Sequence, residues 1–101
     1  MLVEFSIVPL GTGSSIGDTV AEVLRIVDSR GLAYKVNPMG TVVEGEWDEV
    51  MTLIRACHTA TMKNAERALI SIKIDDRQGG GERIEQKVKS VEKRIGKSLR
   101  K

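Results

Sequence analysis

The sequence predicts an α+β fold, a β-α-β-β-α-β sandwich followed by an additional C-terminal helix. Three observations carry this prediction. Two stretches, Val3 to Leu10 and Arg67 to Asp75, alternate apolar and polar residues with the period of two that marks a strand. Two amphipathic helical stripes lie between them. A Pro38-Met39-Gly40 turn in the middle of the chain joins two short strands, so that similar halves lie on either side of it. At 101 residues the chain, 1–101, reads as a single domain, large enough to fold without staples.

The first strand sets Val3, Phe5 and Ile7 on one face and Glu4, Ser6 and Val8 on the other. Pro9 has no N–H to give and must stand at the strand's end or at an unpaired position. Leu10 to Asp18 is a loop rich in glycine and hydroxyl groups. Ser14 or Ser15 can cap the helix that follows, with Ser15 and Asp18 in the spacing of a capping box. Ile16, Val20, Val23, Leu24 and Val27 form one stripe of that helix, which stops at Arg30-Gly31. Leu32 to Asn37 is the second strand and Thr41 to Glu46 the third. Asp48 and Glu49 suit the first turn of the second helix because they face its positive dipole end. Val50, Leu53, Ile54 and Cys57 are its buried stripe, and it fades between Thr61 and Asn64. In the fourth strand Ala68, Ile70, Ile72 and Ile74 share a face. A DDRQGGG loop leads to a third helix marked by Ile84, Val88, Val91 and Ile95 and ending near Gly96.

This order is the split arrangement of the ferredoxin-like sandwich, with both inner helices on one face of a four-stranded antiparallel sheet. The other face is expected to be open, showing Glu4, Ser6, Val8, Leu69, Ser71 and Lys73. Such a mixed surface predicts self-association, as a dimer packed sheet to sheet or a tetramer made of two such dimers.

Composition narrows the function. Hydrophobic residues make up 41% and charged residues 30%, as in ordinary globular proteins. Residues 82–101 carry net +5 and residues 1–81 net −3. The lysines alternate with glutamates on one helix and no aromatic is interleaved for base stacking, so the basic tail reads as a solvated face, without nucleic acid as partner. One cysteine and the absence of a basic leader or long apolar run predict a cytoplasmic protein that neither binds zinc through cysteines nor spans a membrane.

Several residues invite a functional reading. Gly11-Thr12-Gly13-Ser14-Ser15, placed between a strand and a helix, has the geometry that presents N–H groups to an anion. It matches neither the dinucleotide fingerprint nor a Walker loop, and a plain capped turn would look the same. Cys57 and His58 are adjacent on a helix and diverge by ~100°, so they read as core filler and surface residue. Asp75 and Asp76 point to opposite sides of their strand and read as turn formers or ion-pair partners. Glu44 sits between apolar neighbours in the third strand, where burial demands a partner. That partner is either an arginine of the protein or a cationic or amidine-like ligand stacked on Trp47 or Tyr34. No convergent acid, base or nucleophile set is legible, so no enzymatic activity is expected.

The blocks FSIVPLGTG (Phe5 to Gly13), GLAY (Gly31 to Tyr34), MGTVVEG (Met39 to Gly45), IKIDDR (Ile72 to Arg77) and KSVEKRI (Lys89 to Ile95) resemble the small YkoF-like thiamine-binding family over essentially the whole chain. The resemblance implies oligomerisation through the sheets, binding of thiamine or its hydroxymethylpyrimidine part, and no cofactor. It implies a site drawn from Pro9, Gly11, Thr12 and Ser14 of the first loop and Asn37, Met39, Gly40, Thr41 and Glu44 of the hairpin. Ser6 or Thr12 with Glu44 would read the pyrimidine edge, and Trp47 would supply a stacking surface. Two functions follow as expectations. One is a non-catalytic small-molecule binding protein; the other is a structural or regulatory homo-oligomer without a thiamine ligand.

Overall fold

The structure, a computed structural model, describes residues 1–11, 16–79 and 83–100. The elements run β1 (Leu2–Leu10), α1 (Ile16–Ser29), β2 (Ala33–Asn37), β3 (Gly40–Glu44), α2 (Trp47–Met62), β4 (Arg67–Asp75) and α3 (Arg83–Ile95). The four strands form one antiparallel sheet in the order β2-β3-β1-β4. This is the ferredoxin-like arrangement that the alternation and the central turn predict.

The core lies on one face of the sheet. Val3 and Phe5 of β1 and Val43 of β3 meet Val23 and Val27 of α1 and Val50, Leu53, Ile54 and Cys57 of α2. The helical stripes read from the sequence supply these side chains, and each buried aliphatic contributes about 1.5–3 kcal/mol. α1 ends before Gly31, whose φ of 77° is a left-handed value that glycine adopts without strain. The predicted Ser15–Asp18 capping spacing begins outside the described residues. At the start of α2 the Glu49 side chain accepts a hydrogen bond from the Glu46 N–H at 3.1 Å, using one of the amides the helix itself cannot pair.

The structure departs from the sequence reading in two places. β3 stops at Glu44, two residues short of the predicted end, because Gly45 turns away with its N–H bonded to the Met1 carbonyl at 3.1 Å. Trp47 is therefore the first residue of α2 and belongs to no strand. The second departure concerns the sheet face expected to be open. Register places Leu2, Glu44 and Asp75 on that face, away from the core residues Val3 and Val43. α3 docks there through Glu44 and Asp75, over β2 and β3, and leaves only the β1–β4 half uncovered.

Candidate functional site

The sheet register creates a notch. β1 pairs with β3 only as far as Phe5, which faces Thr41, whereas its pairing with β4 continues to Leu10. Beyond Phe5 one edge of β1 therefore has no strand beside it. Thr19, Val20 and Val23 of α1 close this notch on the helix side, and the Pro38-Met39 turn closes its end, leaving a recess of about 320 Å³. Gly40 permits the close approach of the hairpin to β1, since a Cβ there would lie 3.1 Å from the Phe5 carbonyl oxygen.

Three of the polar residues predicted for a ligand, Ser6, Asn37 and Thr41, line this recess. Thr41 is only 6% exposed, and among the described residues nothing hydrogen-bonds its hydroxyl. A buried hydroxyl without a partner carries a desolvation cost, which an entering ligand can remove. Ser6 and Asn37 line the same space in half-buried positions. Val8, Val20, Val36 and Met39 are exposed around it and make an apolar rim, Met39 at 89% exposure. No carboxylate, histidine or cysteine lines the recess among the described residues. It can offer strand-edge amides, hydroxyls and apolar walls, which bind a flat polar heterocycle but hold no general acid or base.

Glu44 is elsewhere, at the opposite end of β3, where it faces Leu2. Its partner within the protein is not an arginine side chain. Both carboxylate oxygens accept the Arg83 N–H at 2.8 Å, and one also takes the Ile84 N–H at 3.4 Å. The carboxylate thus caps the positive end of α3. It borders a second recess of about 650 Å³ with Ala33, Tyr34, Glu85, Gln86 and Lys89. That space is larger, but its one half-buried acid is committed to the helix amides, and its other charged groups lie on the exposed surface of α3.

Asp75 is the second attachment point of α3. Its Oδ2 accepts from Lys87 Nζ and from the Arg83 guanidinium, both at 2.5 Å. These hydrogen bonds, from Lys87 first and Arg83 second, hold its carboxyl below the ordinary aspartate range. A depressed folded-state pKa stabilises the fold above the unfolded value of about 3.9 and ceases to do so as pH falls through the folded value. The acid limb of a stability–pH curve, followed by urea unfolding below pH ~4, should therefore flatten in Asp75→Asn relative to wild type. An unchanged limb would mean that the ion pairs do not hold in solution.

The remaining predicted residues are dispersed. Pro9 is buried opposite Ala68, on the stretch of β1 that β3 does not reach. Gly11 takes a φ of 79°, and a Cβ there would meet the Glu66 side chain at 3.0 Å, so it serves the turn. Thr12 and Ser14 lie outside the described residues. Trp47 is 52% exposed at the start of α2, in the stretch that follows Glu44. Tyr34 donates its hydroxyl to Asp28 Oδ1 at 2.6 Å, and that bond raises its pKa. Cys57 is buried in the core, and burial pushes its thiol up to about 11. Thr19, Val20 and Val36 line the recess without having been singled out for it. For Val20 the signal in the sequence was its place in the apolar stripe of α1; Thr19 and Val36, the latter in β2, carried none.

Comparison with known proteins agrees with this architecture. The model of a family described as thiamine-binding protein matches residues 3–92. A UPF0045 protein of Mycobacterium bovis is 39% identical over 94 residues, covering 92% of each chain. A UPF0045 protein of Methanocaldococcus jannaschii is 33% identical over 91 residues, 90% of this chain and 91% of that one. The crystal structure of a hypothetical protein from the same archaeon superposes with a TM-score of 0.81 at 33% identity, covering 89% of this chain and 93% of that one. A Thermotoga maritima protein assigned provisionally to thiamine biosynthesis or salvage gives a TM-score of 0.78 at 28% identity, covering 89% and 96%. With the family model matching nearly the whole chain, this protein belongs to the thiamine-binding protein family.

Proposed function

We propose that this chain is a non-catalytic binding protein for thiamine or its hydroxymethylpyrimidine part, and that the recess beside β1 takes the pyrimidine. The observation that carries the reading is the buried Thr41 hydroxyl, without a partner among the described residues, beside the bare edge of β1. An aminopyrimidine presents donors and acceptors in alternation, as a strand edge does, so the amide groups beyond Phe5 together with Thr41 and Asn37 suit its rim. A volume of about 320 Å³ sits at the small end of ligand sites, which run from about 300 to 1,000 Å³, and suits one ring better than two. Among the described residues no acid lines the recess to neutralise a thiazolium, so that positive ring remains at the solvent-facing mouth by Val36 and Met39. The family description and the Thermotoga maritima relative support this ligand class. The same reading includes self-association through the uncovered β1–β4 half of the sheet.

Calorimetric titration with thiamine and with hydroxymethylpyrimidine tests the site. Both compounds should bind with similar affinity. Thr41→Val, which keeps the shape and deletes the hydroxyl, should weaken binding about tenfold, the equivalent of one hydrogen bond of about 1.4 kcal/mol. Glu44→Gln should leave the affinity unchanged. No heat and no thermal shift with either compound would sink the ligand reading and leave the assembly function. Loss of binding in Glu44→Gln with Thr41→Val unaffected would move the site to the larger recess.

A further inference from the structure

Basic and acidic residues alternate along the sequence of α3, but the helix sorts them. Arg83, Lys87, Ser90 and Arg94 recur at spacings of four, three and four residues and so share one face. Glu85 and Glu92 stand about half a turn around the helix from that face. The cationic face lines a groove of about 450 Å³ together with Gln86 and with Arg77, which comes from the segment after β4. Four cations from two segments thus meet in one concave place, and among the described residues no carboxylate lines it. Asp75 offsets one of these charges by accepting from Arg83 and Lys87, whereas Arg77 and Arg94 have no acidic partner among the described residues.

Arg83 adds a second observation. Its side chain is only 10% exposed, and it gives Asp75 two N–H groups, one to the carbonyl at 3.1 Å and one to Oδ2 at 2.5 Å. A guanidinium carries five such groups, and the others have no acceptor among the described residues. Donors buried in this way carry a desolvation cost until an acceptor arrives. We propose that this groove binds the phosphate groups of a small molecule that carries a diphosphate. Arginine presents a planar fork of N–H donors that matches two oxygens of one phosphate. A single phosphate brings about −1.5 to −2 charges at neutral pH, so two linked phosphates match the cationic surplus that Asp75 leaves. Ser90 and Gln86 supply neutral donors beside them. The volume lies within the range of small-molecule sites, about 300 to 1,000 Å³. No aromatic among the described residues lines the groove for a base to stack on, which disfavours a nucleic-acid strand. The groove shares no residue with the recess beside β1, so it does not depend on the thiamine reading.

Calorimetric titration of the full chain with inorganic pyrophosphate tests the site. One pyrophosphate should bind per chain, and inorganic phosphate should bind about tenfold more weakly or less, having half the charge to offer. Arg77→Gln and Arg94→Gln should each weaken pyrophosphate binding about tenfold, the loss expected for one charged hydrogen bond. Both residues are exposed, so the circular dichroism spectrum should stay intact, while Arg83 is kept native because it also anchors α3. Lys89→Gln removes a charge from the same helix but from the side that borders the other recess, and should leave the affinity unchanged. Thr41→Val and saturating thiamine should leave it unchanged as well. Absence of saturable pyrophosphate binding would overturn the proposal. So would equal affinity in wild type, Arg77→Gln and Arg94→Gln, or an equal loss in Lys89→Gln, which would reduce the effect to general charge. Displacement of pyrophosphate by a single-stranded oligonucleotide at lower concentration would overturn it in favour of nucleic acid.

Discussion

Replacing Phe5 with alanine should cost about 3–5 kcal/mol, the range for emptying a large buried side chain. Phe5 is 2% exposed and is among the largest side chains wholly enclosed by the fold. It lies in the inner strand β1, between Thr41 of β3 and Ile72 of β4, beneath the helices that carry Val23, Leu53 and Ile54. Neighbours from so many elements cannot all move inward, so the cavity would persist. A domain of this size holds about 5–15 kcal/mol in total, so the variant should sit close to unfolding. Its thermal midpoint should fall by roughly 15–30 °C, at about 4–8 °C per kcal/mol. Urea unfolding measures the loss directly, and a change below about 1 kcal/mol would show that β1 does not pack as described. Phe5 also floors the recess, so the milder Phe5→Leu is the variant in which ligand affinity and stability can be measured together.

Glu44→Ala should release α3. Three hydrogen bonds join this carboxylate to the first amides of the helix, and charged hydrogen bonds of this kind contribute about 1.5–3 kcal/mol when one partner is removed. Few side chains of α3 are buried. Arg83 is, whereas Val91 and Ile95 are 46% and 54% exposed. With so little apolar burial the helix depends on its N-terminal attachments, Glu44 and Asp75. Hydrogen exchange is the direct readout. The amides of Arg83 and Ile84 and the turns after them should lose protection, while those of β1 and α2 keep theirs. Equal protection of α3 in variant and wild type would mean that other contacts hold it. Glu44→Gln should lie between the two, since an amide oxygen still accepts one N–H but carries no charge to face the helix dipole.

Much of the fold was legible along the chain because its causes are local. Alternation at Val3 to Leu10 and Arg67 to Asp75, the stripe from Val50 to Cys57, and the Pro38-Met39-Gly40 turn each act within a few residues, and each element formed where its pattern lies. The short connections then leave few ways to arrange four strands and two helices on one core. The site was legible only in part. Ser6, Asn37 and Thr41 were named as candidates, but the sequence could not separate them from Glu44 and Trp47, which stand close by in the chain.

Register made that separation. Thr41 falls opposite Phe5 and Glu44 opposite Leu2, so three residues of strand carry them to different ends of the sheet and to different faces. Glu44 met a partner 39 positions away, an amide at the start of a helix that returns over the sheet. Pattern and propensity determine which elements form, because they depend on neighbours in sequence. Which polar groups meet one another, and which strand edges stay bare, depends on pairings between distant segments, and only the assembled sheet decides those.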